Sequence, residues 1–241
     1  MQVGSISPYG YSTPAHYAGA ASISRRSSLA IDTNGDRRPE VSANSSSGVA
    51  ASRGRDGRIA GYDRNGVAVD NNSDGRKDAR VENEIRFAAR AGGYRGSAAV
   101  TTQSGYALRS GNTQVQGKET TTVTAKSADN RDGSRTTALE TKSQENTRLT
   151  NERGTVTVNS SSRDRVAETV KKNGERSSEV TSASSLKVSG SGNGGDASSS
   201  VSSSVTVKGA NAGRVSIAIA QSVSNIYASV QQASVTTAKA A

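Results

Sequence analysis

Large apolar side chains are too scarce in this sequence to fill an ordinary hydrophobic core. Hydrophobic residues make up 32% of the 241 residues and aromatic residues only 3%, with one phenylalanine and no tryptophan. A globular domain typically has about 45–50% apolar residues. Together with a net charge of +10, this composition is typical of a disordered chain. Such a chain can still become ordered when copies stack, because hydrogen bonds between strands need no large side chains.

The sequence also argues against catalysis and against thiol chemistry. It contains no cysteine, which excludes a disulfide framework and a thiolate metal site. The single histidine, His16, has no acidic residue close to it in sequence, whereas catalytic and metal-binding histidines occur in clusters. Neither a nucleophile elbow nor a phosphate-binding glycine motif is present. We therefore expect no enzymatic activity.

The N-terminal residues 1–8 lack the basic and apolar regions of a cleaved secretory signal. No window reaches the roughly 18 apolar residues of a membrane span, so we expect no transmembrane segment. The chain is expected outside the cell or at the cell surface, exported by a route without a cleaved signal peptide, or otherwise in the cytoplasm.

Three zones are distinguished along the chain. Residues 1–30 are rich in Ser, Ala, Tyr and Gly and predict an irregular arm. Residues 31–95 hold most of the turn-forming Asp, Asn and Gly runs. Residues 96–241 are rich in Thr, Ser and Val, with apolar residues at alternate positions, as at Val156 and Val158 or Val205 and Val207. This alternation predicts half-buried strands joined by turns.

The predicted fold is mainly β, with a thin antiparallel sheet of hairpins in the C-terminal two-thirds. One short helix is predicted near 79–91, because Val81, Ile85 and Ala88 follow helical spacing before Gly92 and Gly93 end it. The window 214–233 is the most apolar. We expect it to pass from a strand into an amphipathic assembly helix near Ser222.

Two acidic runs carry the clearest chemistry. Both follow the pattern D-x-N-x-D-x-x-x-[DE], and oxygen-rich side chains at this spacing suit Ca²⁺, a hard cation that prefers six to eight oxygen ligands. The predicted calcium ligands are Asp70, Asn72, Asp74 and Asp78 in one run and Asp32, Asn34, Asp36 and Glu40 in the other.

These runs resemble the D-x-N-x-D-G calcium loops of EF-hand proteins, dockerins, thrombospondin type 3 repeats and FG-GAP repeats. The resemblance covers about nine residues in each run and implies calcium as the bound ion. Gly75 matches the glycine of these loops, whereas Arg37 stands at that position in the first run, and the bidentate glutamate of EF-hands is missing from both. The departures favour the shorter structural loops of extracellular repeats. The competing interpretation is a pair of plain turns.

The sequence therefore favours a non-enzymatic structural protein that self-associates into a filament, sheath or extracellular matrix and is stabilised by calcium. The alternative is a calcium-binding regulatory or effector protein, exported without a leader, with a flexible Ser/Thr-rich tail. The expected partners are further copies of the chain and acidic surfaces or polysaccharides. Nucleic acid is disfavoured, because acidic residues are interspersed with the basic ones and aromatic residues for base stacking are rare. A basic RNA-associated chain is the third hypothesis.

Overall fold

The computed structural model describes residues 2–3, 20–52, 57–193 and 195–209. These residues form one antiparallel sheet of 11 strands, in which each strand pairs with the next along the chain. The strands are β1 (Gln2–Val3), β2 (Ala20–Asp32), β3 (Val41–Ser52), β4 (Gly57–Val69), β5 (Ala79–Ala91), β6 (Arg95–Ser110), β7 (Thr113–Asp129), β8 (Arg135–Asn151), β9 (Gly154–Val170), β10 (Arg176–Gly192) and β11 (Gly195–Gly209). The prediction of a mainly β fold is confirmed.

The helix predicted near 79–91 is wrong, because these residues form β5. A spacing of four residues places two side chains on one face of a strand as well as on one face of a helix. Val81 and Ile85 therefore fit both periods. The deciding signal is the alternating charge at Arg80, Glu82 and Glu84, which matches a period of two and not of 3.6.

Strands begin earlier than the sequence predicted, since β1 (residues 2–3) and most of β2 (residues 20–32) fall within the predicted irregular arm. The turns predicted at 129–133 and 173–174 join β7 to β8 and β9 to β10, with Gly133 and Gly174 at positive φ. The strand and helix predicted within 214–233 and His16 lie outside the described residues.

The sheet has two chemically different faces. The register between neighbouring strands continues without a bulge from β2 to β11, and side chains alternate between the faces along each strand. Every Val, Ile, Leu and Phe of these ten strands falls on one face, which we name the apolar face. The opposite face carries most of the Lys and Arg residues, and we name it the basic face.

No second layer covers the apolar face within the part of the chain that the structure describes. Its large side chains are exposed to water, for example Ile85 at 49%, Val100 at 44% and Leu139 at 50%. The only buried hydrophobic residues among those described are Ala167, Val180 and Leu186. The sheet therefore has almost no core of its own, as the composition predicted.

A polar strip crosses the apolar face midway along the strands. It lies between two apolar bands, one near each end of the strands, and only Ile85 interrupts it. Thr121 and Ser143 form a side-chain hydrogen bond of 3.1 Å within it. From β3 to β9 the strip consists of Ser45, Ser47, Asp63, Asn65, Asn83, Thr102, Ser104, Glu119, Thr121, Ser143, Glu145, Ser160 and Ser162.

Three aromatic rings lie over glycines directly opposite them on the neighbouring strand. The pairs are Tyr62 with Gly48, Phe87 with Gly61 and Tyr106 with Gly117. A Cβ at Gly48 would lie 2.8 Å from Tyr62 Cε1, closer than van der Waals contact allows. Each glycine therefore leaves the space that its aromatic partner occupies, a packing that replaces part of the missing core.

We expect Gly117→Ala to destabilise the chain by about 1 kcal/mol, because the new methyl group displaces the Tyr106 ring. Gly105→Ala is the matched control on β6, since its Cβ would meet only the Gly117 carbonyl oxygen at 3.8 Å. That variant should be neutral or slightly stabilising. The midpoints of urea unfolding measure both effects. Equal midpoints for the two variants would contradict the pairing of ring and glycine.

Candidate metal centre

The two acidic runs form neighbouring loops at one end of the sheet. The first connects β2 to β3, and the second connects β4 to β5. The loops contact each other directly, because the amide of Asp70 donates to the carbonyl oxygen of Glu40 at 2.7 Å. Lys77 Nζ also donates to the carbonyl oxygen of Pro39 at 2.6 Å. The fold therefore brings together two motifs that lie far apart in sequence.

The first loop folds around its own carboxylates. Asp32 accepts hydrogen bonds from the amides of Gly35 at 2.6 Å and Arg37 at 2.8 Å. Asn34 Oδ1 accepts from the amide of Asp36 at 2.9 Å. These bonds turn the chain tightly, so that side chains at alternate positions point to the same side of the loop.

Three carboxylates converge in this loop. Asp32, Asp36 and Glu40 each offer an oxygen, and these oxygens all lie within 4.8 Å of one another. A divalent cation among them would satisfy three negative groups at once, and oxygen donors of this kind suit Ca²⁺. Of the predicted ligands in this loop, the structure draws these three together, and Asn34 instead donates to Asp36 Oδ2 at 3.3 Å.

The second loop repeats the backbone pattern. Asp70 Oδ2 accepts from the amide of Gly75 at 2.9 Å, and Asn72 Oδ1 accepts from the amide of Asp74 at 3.1 Å. Asp78 Oδ2 accepts from the amide of Asn71 at 2.9 Å. Among the described residues, however, only the first loop holds its three carboxylates within 4.8 Å of one another. The ligands of the second loop are less tightly gathered.

One carboxylate oxygen in the second loop has no hydrogen-bond partner among the described residues. Asp70 is 2% exposed, and its Oδ1 is buried without a hydrogen bond from any described residue. A buried polar atom without a partner costs about 1–3 kcal/mol, and a charged group costs more. A bound cation or an ordered water would remove this cost, so Asp70 is the strongest candidate ligand of its loop.

Backbone conformation explains how the first loop tolerates its departures from the calcium-loop pattern. Gly35 and Arg37 both adopt positive φ, of 81° and 67°. Ser73 and Gly75 do the same at the equivalent positions of the second loop, with φ of 57° and 82°. Arg37 thus takes the conformation usually reserved for glycine, at a cost on the order of 1 kcal/mol. The two loops share one backbone path despite the substitution.

Glu40 connects the loops through its side chain. Its Oε2 accepts from the amide of Thr33 at 2.6 Å, and its Oε1 accepts from the hydroxyl of Ser73 in the second loop at 3.2 Å. The amide of Thr33, helped by the Ser73 hydroxyl, lowers the pKa of the Glu40 carboxyl below its ordinary value of 4.5. Sequence analysis missed the contribution of Ser73, because nothing in either run indicated that the loops would touch.

We expect metal-free Glu40 to titrate below pH 4.5. Because the pKa of this carboxyl is lower in the folded state than in the unfolded state, the ionised carboxylate stabilises the fold at pH values above the pKa of the unfolded state. This stabilisation is lost as the pH falls through the folded value. The amide chemical shift of Thr33, followed by NMR with a chelator present, reports this titration. A midpoint at or above 4.5 would contradict the hydrogen bond from Thr33.

Comparison with known proteins identifies no relative. No family model, no curated protein and no solved structure matches this chain. Among the residues that the structure describes, none belongs to a helix long and apolar enough to cross a membrane.

Proposed function

We propose that this chain is a non-enzymatic structural protein that self-associates into a filament, sheath or extracellular matrix and is stabilised by calcium. The observation that supports this most is the apolar face, where valine, isoleucine and leucine side chains are left exposed. Monomeric soluble proteins rarely expose a contiguous apolar patch larger than a few hundred Å². A second copy of the chain is the partner that this face suits best.

The size of the face is sufficient for a stable contact. Strand and sheet spacings give a face roughly 45–55 Å long and about 43 Å wide. Two copies that meet face to face would together bury roughly 4,000 Å², which falls within the range of obligate homodimers. Burial of this size would offset the small number of apolar residues in each copy.

The polar strip supports a defined arrangement of the two copies. Consider a two-fold axis that lies in the plane of the interface and runs along the polar strip. It places the polar strip of one copy against the polar strip of the other, and each apolar band against an apolar band of the other copy. Such an interface is self-complementary, as a two-fold contact requires. The strip contains three carboxylates, those of Asp63, Glu119 and Glu145. We therefore expect water to remain in the strip, while the apolar bands on either side of it become dry.

The open edge of the sheet offers a route from pairs to longer assemblies. No described residue pairs with the outer edge of β11, a strand of 15 residues with no proline. Unpaired strand edges are templates for the addition of another chain. Edge pairing would extend the sheet, whereas face pairing would thicken it.

Calcium would act at one end of this sheet. Ions held by the two loops would tie the hairpin of β2 and β3 to the hairpin of β4 and β5, because Glu40 already contacts both loops. A ligand that binds only the folded chain stabilises it in proportion to the logarithm of its concentration. Calcium would therefore favour the ordered sheet, and through it the assembly.

Sedimentation velocity and negative-stain imaging, each with calcium and with a chelator, test the proposal. We expect sedimentation that shifts to larger species with protein concentration, and regular filaments or sheets that increase with calcium. A chain that stays monomeric at all concentrations would contradict the proposal. If that monomer became more compact with calcium, the alternative function in calcium-dependent regulation would be favoured instead.

A further inference from the structure

The basic face carries a positive charge that its own acidic residues do not balance. Glu82 contacts both Arg64 and Arg80, and Glu140 contacts both Lys142 and Arg163, so each of these carboxylates leaves one cation in surplus. The basic side chains of this face, from β2 to β11, are Arg26, Arg58, Arg64, Arg80, Arg86, Arg90, Arg95, Arg109, Lys118, Lys126, Lys142, Arg148, Arg163, Arg165, Lys187 and Lys208.

A groove of about 420 Å³ lies on this face across β7 to β10. The register places Lys118, Asn146, Asn159 and Lys187 in one row perpendicular to the strands. The next row of the groove consists of Thr120, Gln144, Ser161 and Ser185. The groove is therefore lined by amides and hydroxyls, with a lysine at each end.

The groove has the dimensions and charge of a site for an extended anion. Lys118 and Lys187 are separated by three strand spacings, or roughly 14 Å. Both are exposed, and no acidic group of the described residues lies within ion-pair distance of either lysine. Among the described lining residues the one carboxylate is that of Glu145, which belongs to the apolar face. Two cations at this separation would contact two negative groups of the same chain molecule.

The groove floor is ordered by its own hydrogen bonds. Asn146 Nδ2 donates to Asn159 Oδ1, and the hydroxyls of Ser161 and Ser185 lie 2.8 Å apart. These contacts hold amide and hydroxyl groups side by side, where they can exchange hydrogen bonds with the hydroxyls of a sugar chain. No aromatic residue is found among the described residues that line the groove, so this lining offers no stacking surface of the kind on which single-stranded nucleic acids depend.

We infer that this groove binds a linear acidic polysaccharide, with the sugar chain across the strands and its negative groups at Lys118 and Lys187. Carboxylated and sulfated chains share this chemistry. The site lies on the face opposite to the proposed interface between copies, so an assembled chain would still present it. The inference does not depend on self-association, and the two can fail separately.

Calorimetry of the full chain with carboxylated and sulfated oligosaccharides tests the inference. We expect at least one of them to bind, with an affinity that falls as salt rises, and neutral dextran not to bind. The variant Lys118→Gln with Lys187→Gln should lose roughly tenfold in affinity, because it removes two ionic contacts. Both positions are exposed, so the fold should be preserved.

The matched control removes the same charge outside the groove. Lys126 lies on the basic face and Lys172 in the turn between β9 and β10, and neither is among the described residues that line the groove. Lys126→Gln with Lys172→Gln should change the affinity less than about threefold. Equal losses in the two variants would overturn the inference, since binding would then depend on the net positive charge of the chain and not on the groove. The absence of binding to both acidic oligosaccharides would overturn it as well. Tighter binding of single-stranded RNA with the same dependence on Lys118 and Lys187 would assign the groove to nucleic acid instead.

Discussion

Replacing Val100 and Val123 by threonine should weaken self-association by about 100-fold or more. The two residues are directly opposite each other on β6 and β7 of the apolar face, and both are exposed in the single chain. Each substitution occurs twice in a two-fold interface, and each costs roughly 1 kcal/mol when a methyl group becomes a buried hydroxyl. Threonine retains the shape and strand preference of valine, so the fold should persist. Sedimentation velocity over a range of concentrations measures the change.

The matched control makes the reverse exchange on the basic face. Thr101 and Thr122 are the next residues along the same strands, and their hydroxyl oxygens lie 3.1 Å apart. Replacing both by valine should leave the association constant within about threefold of the parent chain, because this face lies outside the interface. If both double variants weakened assembly equally, the effect would come from a loss of stability in β6 and β7. It would then give no support to the apolar face as the contact between copies. Circular dichroism of each variant shows whether the sheet is retained.

Asp70→Asn should make the chain less stable than the parent when calcium is present, but not when calcium is absent. Without the ion, the variant should be as stable as the parent or more stable by up to about 1 kcal/mol, because it removes the charge of a buried carboxylate. Asparagine retains an oxygen to accept the hydrogen bond from Gly75. With millimolar calcium, the parent should gain stability that the variant lacks. Thermal unfolding with a chelator and with calcium measures both effects.

Asp196→Asn is the control for this comparison. Asp196 is exposed on β11, away from both loops, so calcium should stabilise this variant as much as the parent. A calcium-dependent gain that survives in Asp70→Asn would show that Asp70 is not a ligand. If calcium does not stabilise the parent chain at all, the proposal that calcium binds to either loop is contradicted.

Strands of the sheet could be predicted from the sequence where apolar and polar residues clearly alternate. Val156, Val158, Val205 and Val207 lie on strands with the predicted period, because threonine and serine alternate with them. At β5 the prediction failed, since Asn83 interrupts the apolar alternation of Val81, Ile85 and Phe87 and Ala88 falls on the opposite face. Arg80, Glu82, Glu84 and Arg86 all fall on the basic face, and counting polar periodicity together with apolar periodicity would have identified the strand.

The convergence of carboxylates in the first loop could be predicted from the sequence, but the contact between the two loops could not. The spacing of Asp32, Asp36 and Glu40 indicated that these oxygens would meet. Spacing within one run carries no information about its neighbours, however. The contact of Glu40 with Ser73 depends on the pairing of β3 with β4, which places the two loops side by side. For the same reason the groove between Lys118 and Lys187 follows only from the register of four strands.

Cysteine accessibility tests the central claim of face-to-face assembly most directly. The chain has no cysteine, so Val100→Cys and Thr101→Cys each introduce a single reactive thiol, on the apolar face and the basic face respectively. Alkylation rates are compared between dilute and assembled chains. We predict that assembly slows the reaction at position 100 by at least about tenfold, because that side chain becomes buried, and leaves position 101 unchanged. Equal rates at position 100 before and after assembly would contradict burial of the apolar face.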